Sequence, residues 1–221
     1  LKRLGRIDEA IEFLQQSGAA LDGPAGKFYR LANFYINSDR FEEALQQADL
    51  ALELEPESVI AHYSKGLALK GLNKTDEAIN CYKKAVEIKP DYANALNNIG
   101  AAYLDLGDKQ RAVAFHLRAA TAEPNSAIFW FNLAGTQFSH GQNTSALTSI
   151  RRAIAIDRSN IGFWKHYVSI VSTLKNMDIN SELKNELQHC LSTPELATDL
   201  IRNYAINLFS LQIIVTSLKL R

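Results

Sequence analysis

The chain has 221 residues, is 47% hydrophobic, and carries 24 basic and 24 acidic residues for a formal net charge of zero. That length suffices for a continuous core, and the charge balance gives no electrostatic reason to expect a nucleic-acid or anionic-membrane partner. Two cysteines far apart on predicted helices, Cys81 and Cys190, argue against a disulfide framework and for a reducing compartment, so a cytoplasmic location is expected.

Residues 1–24 read as a partial unit, a second helix without its first. Ala10 and Leu14 stand 34 residues before Ala44 and Ala48, and Gly23-Pro24-Ala25-Gly26 marks the turn that follows. Because the chain starts at Leu1 in mid-unit and its single Met is Met177, a piece of a longer protein is expected, and the lack of a signal peptide carries little weight.

Residues 25–160 read as four full helix–turn–helix units. The first, 25–58, has Phe28, Leu31, Ala32 and Tyr35 on its first helix, Ala44, Ala48 and Ala51 on its second, and Pro56 to close it. In the next two, 59–92 and 93–126, Gly66, Ala78, Tyr82, Ala85 and Pro90 answer to Gly100, Ala112, His116, Ala119 and Pro124, every pair 34 residues apart. The fourth, 127–160, places Trp130, Leu133, Ala134, Ala146, Ile150 and Ala153 in the same slots, with Arg158 replacing the closing proline, so that Ser159 and Asn160 must provide the stop.

Small residues sit where two helix axes cross at roughly 8–10 Å. Each proline ends its second helix, because it lacks an N–H and disfavours helical geometry in the preceding residue. Candidate N-caps of the second helices are Ser38 or Asp39, Thr75 or Asp76, Asp108, and Asn143 or Thr144.

After Asn160 the pattern decays, and 161–192 reads as a degenerate unit. Trp164 and Tyr167 keep the register of Trp130 and Leu133 and predict a helix over about 161–174, but Asn180 takes the small-residue slot. Residues 193–221 are expected to form a capping helix from Pro194 to about Phe209, followed by an apolar tail. The uncharged run 203–218 is interrupted by Asn207, Ser210 and Gln212, so no membrane span is expected. The tail's Leu208, Phe209, Leu211, Ile213, Ile214 and Val215 are expected to be buried, by folding back on helix 194–209, by self-association with a second chain, or against a further domain.

A fixed period of about 34 with small residues, an aromatic and a closing proline resembles the tetratricopeptide repeat. The resemblance covers about residues 1–175. It implies an all-α fold, a right-handed α-solenoid of helix–turn–helix repeats with a C-terminal helical cap, and a protein–protein interaction scaffold or adaptor.

No local signature of catalysis is present. The chain has no P-loop, no G-x-G-x-x-G before a helix, no H-E-x-x-H and no G-x-S-x-G, so neither enzyme activity nor a cofactor is expected. His62, His116, His140, His166 and His189 have no metal-ligand spacing to one another or to cysteine, and no metal site is expected. The sequons at Asn73 and Asn143 matter only in a secreted protein.

In solenoids of the resembled family the first helices line an inner groove. The candidate peptide-binding residues are then Tyr29, Arg30 and Asn33; Tyr63 and Ser64; Asn94, Asn97, Asn98 and Ala101; Phe131 and Asn132; and Lys165 and His166. Core residues of the same helices fall on the opposite side. Side-chain amides can pair with both N–H and C=O of an extended peptide, and aromatic rings can stack on its side chains. The competing expectation is a merely solvated helix face, and for His166 a solvated polar residue is preferred over a ligand contact.

The lysine–asparagine–arginine clamp with which some family members hold a chaperone's C-terminal carboxylate is absent. The groove is similar instead to superhelices that recruit extended segments, including those attached to sugar-transferring enzymes. The alternative expectation is therefore a substrate-recruiting arm of a larger bacterial enzyme, a glycosyltransferase or methyltransferase, with its catalytic domain elsewhere.

Overall fold

The computed structural model describes residues 25–173 together with Glu186. The expected partial unit 1–24, the second helix of the degenerate unit, the capping helix and the apolar tail lie outside the described residues. What is described is all α-helical, an α-helical repeat solenoid: α1 (Gly26–Ile36), α2 (Phe41–Leu54), α3 (Val59–Gly71), α4 (Thr75–Ile88), α5 (Ala93–Asp105), α6 (Lys109–Ala122), α7 (Ala127–Ser139), α8 (Asn143–Ile156) and α9 (Ile161–Thr173). The chain divides into two compact units, residues 1–122 and 123–221.

In the first unit α1 packs on α2, α3 on α4 and α5 on α6, while α2 and α1 both touch α3, and α4 touches α5. The spacing of small residues is explained by burial: Ala44, Ala78 and Ala112 are fully buried, as are Ala51, Ala85 and Ala119.

Close approach is graded by a reciprocal choice. A Cβ on Gly66 would collide with the Tyr82 ring, and one on Gly100 would stand 2.6 Å from His116 Cδ2. Where the facing slot holds the small Ala48, the first helix carries Ala32 instead. Gly71 is a further close approach, against the Phe41 ring.

In the second unit α7 packs on α8, and α9 on both. Ala146, Ile150 and Ala153 are fully buried, Ile150 in the slot that holds Tyr82 and His116 in the preceding repeats. Trp130 Nε1 donates to the Pro124 carbonyl and Trp164 Nε1 to the Arg158 carbonyl, each at 2.9 Å. An arginine carbonyl thus receives the indole as well as a proline carbonyl does. Without the proline, α8 ends at Ile156; Asp157 Oδ1 accepts from Ser159 N and Oγ at 3.1 and 2.7 Å, and Asn160 Oδ1 accepts from Gly162 N at 2.9 Å.

The expected N-caps are corrected at three of four turns. Asp108 does cap α6, its Oδ1 accepting from Arg111 N at 2.9 Å. At the other turns the capping positions are Arg40, Lys74 and Gln142, with no side-chain cap bond. Of the expected caps, Asp39 serves the preceding helix instead, and Thr75 and Asn143 are the first residues of their own helices. Asp39, Asn73, Gly107 and Gly141, spaced 34 apart, adopt φ of 57°, 60°, 80° and 81°. The N–H after each reaches back to close the first helix, from Arg40 to the Tyr35 carbonyl at 2.9 Å and from Gln142 to the Gln137 carbonyl at 2.8 Å, for example. Asp, Asn and Gly are the residues that enter this left-handed region most readily.

Candidate functional site

The first helices of the first unit carry two hydrogen bonds between successive repeats. Ser64 Oγ donates to Asn33 Oδ1 at 2.9 Å, tying α3 to α1. Asn98 Nδ2 donates to the Tyr63 hydroxyl at 3.1 Å, tying α5 to α3. Ser64 is fully buried, so the expectation that it lines an open groove is corrected: it is spent on Asn33.

Tyr63 is half-buried, its ring centroid 5.8 Å from Tyr82 and 5.2 Å, edge-on, from Tyr92. The Tyr82 hydroxyl beneath it is buried with no hydrogen-bond partner among the described residues. Burial pushes both phenols above their ordinary pKa, and the Asn98 amide, which donates to Tyr63, offsets this only in part.

The remaining candidates of this unit separate by exposure. Asn94 is exposed; Tyr29, Arg30, Asn33, Asn97 and Ala101 are half-buried. Arg30 Nε donates to the Gly26 carbonyl at 3.3 Å. On the opposite side of the same helices Leu31, Ala32, Ile99 and Ala102 have at most 1% exposure.

The second unit presents a different surface. Phe131 lies 5.0 Å from Phe163 and 5.4 Å from His166, and Phe138 lies 5.7 Å from His166, edge-on. His166 is not the solvated polar residue expected. Its Nε2 is enclosed with no hydrogen-bond partner among the described residues, and burial lowers its pKa, opposed by the Ala134 carbonyl. Asn132 is half-buried and Lys165 exposed.

Other polar groups of this unit are buried or partly buried. Ser149 Oγ donates to Gln137 Oε1 at 2.7 Å, and Glu186 Oε2 accepts from the Tyr167 hydroxyl at 2.6 Å and from Arg151 Nη2 at 2.7 Å. The sequence reading missed Gly135 and Phe138. Their signal was available: both lie on the helical face of Phe131, at i+4 and i+7.

No group of three or more His, Cys, Asp or Glu side chains converges among the described residues as a metal site would require. No helix among them is long and apolar enough to cross a membrane. Tetratricopeptide-repeat family models match residues 28–58, 68–107 and 93–122. The chain is a tetratricopeptide-repeat protein.

Solved tetratricopeptide-repeat structures share its fold. MamA (residues 41 to the end) from Desulfovibrio magneticus is 20% identical with a TM-score of 0.64, the match covering 80% of this chain and 98% of MamA. TTC0263 of Thermus thermophilus is also 20% identical, with a TM-score of 0.61 over 77% of this chain and 93% of its own. YrrB, described as a TPR protein with an unusual peptide-binding site, is 17% identical, with a TM-score of 0.59 over 97% of this chain and 98% of its own. No curated protein matches the chain.

Proposed function

We propose that this tetratricopeptide-repeat protein is a non-catalytic adaptor that holds an extended segment of a protein partner along its first-helix faces. The support is the sidedness of those helices. They bury Leu31, Ala32, Leu96, Ile99, Leu133 and Ala134 on one side and keep Asn94, Asn97, Asn98, Asn132 and Lys165 exposed or half-exposed on the other. A peptide-binding site in YrrB, a protein of the same fold, agrees with this use. The free thiol of Cys81 suits the reducing cytoplasm.

Amide contacts are worth only about 0.5–1.5 kcal/mol each, so affinity is built from several of them. Replacing Asn98 and Asn132 together by alanine is expected to weaken binding of a peptide selected from a random library by about tenfold. Lys83→Ala with Lys84→Ala on α4 is the control and leaves it nearly unchanged. Equal loss from both pairs, read by fluorescence anisotropy with helicity checked by circular dichroism, moves the binding surface off the first helices.

A further inference from the structure

We propose that the α7 face around Gly135 receives an aromatic side chain of the partner segment, with an acidic residue beside it. This rests on the adaptor reading and adds a specificity to it.

The starting point is a glycine that the fold does not require. Gly66, Gly71 and Gly100 each stand so close to a ring that a Cβ would collide with it, and Gly107 and Gly141 have positive φ. Gly135 has neither constraint. Its Cβ would meet one neighbour within 4 Å, His166 Nε2 at 3.8 Å, an ordinary contact. Glycine inside a helix is destabilising relative to alanine, so its presence here sacrifices stability and leaves room beside His166 at a half-buried position.

That space has aromatic walls. Phe131 and Phe138 flank Gly135 one turn to either side along α7, and both rings meet the edge of His166, at interplanar angles of 66° and 87°. Phe163 extends the wall behind Phe131. Rings packed edge to face accept a further ring in the same geometry. His166, lowered by burial, remains a neutral ring at pH 7 and adds an aromatic wall rather than a charge.

The charges select the neighbour of that ring. Helix α7 has no charged residue, and α9 has one, Lys165, which is exposed and in no ion pair among the described residues. An uncharged aromatic surface on α7, with the exposed Lys165 next in sequence to His166, is complementary to an aromatic residue adjoining a carboxylate.

The test uses the full chain and fluorescein-labelled hexapeptides containing aspartate followed by tryptophan, compared with versions carrying alanine for the tryptophan or lysine for the aspartate. The tryptophan peptide is expected to bind at least about tenfold more tightly than its alanine counterpart, with a smaller loss for lysine. Gly135→Ala should raise the melting temperature yet weaken the tryptophan peptide, and Gly135→Leu should abolish the preference with helicity intact. A merely structural glycine would not give opposite signs in stability and binding. Equal binding of all three peptides, or a preference that survives Gly135→Leu, overturns the proposal.

A random peptide library screened on the same chain separates the two readings. Binders that are weakened by Asn98→Ala, lack aromatics and tolerate Gly135→Leu leave the adaptor standing and overturn the aromatic site. If no peptide binds, both fall.

Discussion

The two compact units use one repeat frame but hold and present their first helices differently. In the first unit, polar side chains of successive first helices are bonded to each other, Ser64 to Asn33 and Asn98 to Tyr63. In the second, aromatic rings occupy the outward side, while the polar contacts Ser149–Gln137 and Tyr167–Glu186–Arg151 lie inside. The small-residue positions specify the frame; the residues between them are left to choose between hydrogen bonds and rings. A repeat family can therefore vary its surface without disturbing its packing.

The comparison breaks most severely at Glu186. Its carboxylate, mostly buried, accepts from both the Arg151 guanidinium and the Tyr167 hydroxyl, so Glu186→Ala removes an ion pair and the acceptor of a buried hydroxyl. We expect a loss of about 3 kcal/mol in urea unfolding, with the second unit affected first. An unchanged midpoint would mean that the inward polar contacts of the second unit do not hold it together.

Acid probes the first unit next. Burial lowers His116 from 6.5 to about 4, and only 3% of the residue is exposed. The unfolded chain therefore binds a proton that the folded chain refuses. Stability is fully present above pH 6.5 and is lost as pH falls toward 4, by at most about 3 kcal/mol. His116→Tyr, which copies the Gly66–Tyr82 pairing of the preceding repeat, should flatten that slope in melting curves taken between those pH values.

The finest contrast lies within the Tyr63–Tyr82 pair. Tyr63→Phe removes the acceptor of Asn98 and should cost about 1 kcal/mol, whereas Tyr82→Phe removes a buried hydroxyl without a partner among the described residues and should be neutral or stabilising. Equal losses in chemical denaturation would show that the Tyr82 hydroxyl has a bound partner, such as water.

What was legible in the sequence was what a single 34-residue period repeats. Ala44, Ala78, Ala112 and Ala146 are all fully buried because helices can cross there only over small side chains. What was not legible depends on partners in another repeat. Ser64 shares a row with Asn98 and Asn132, yet it is buried because Asn33, 31 residues earlier, takes its hydrogen. Asp39 looks like an N-cap by composition, but its row continues as Asn73, Gly107 and Gly141, and glycine in half the row points to left-handed backbone. Gly135 was passed over because absence of a side chain registers in a repeat pattern only when something large faces it.

The Gly66–Tyr82 and Gly100–His116 contacts each lie inside one repeat, 16 residues apart. A duplication or deletion that copies residues 59–92 or 93–126 whole therefore carries the glycine and its ring together. A breakpoint between the two helices that joins one of these units to 25–58 or 127–160 would instead set the Tyr82 or His116 ring against Ala32 or Ala134, or Gly66 or Gly100 against Ala48 or Ile150. Unequal crossover that mixes these two units with their neighbours is thus filtered by steric fit, whereas exchange between the two of them keeps a glycine against a ring.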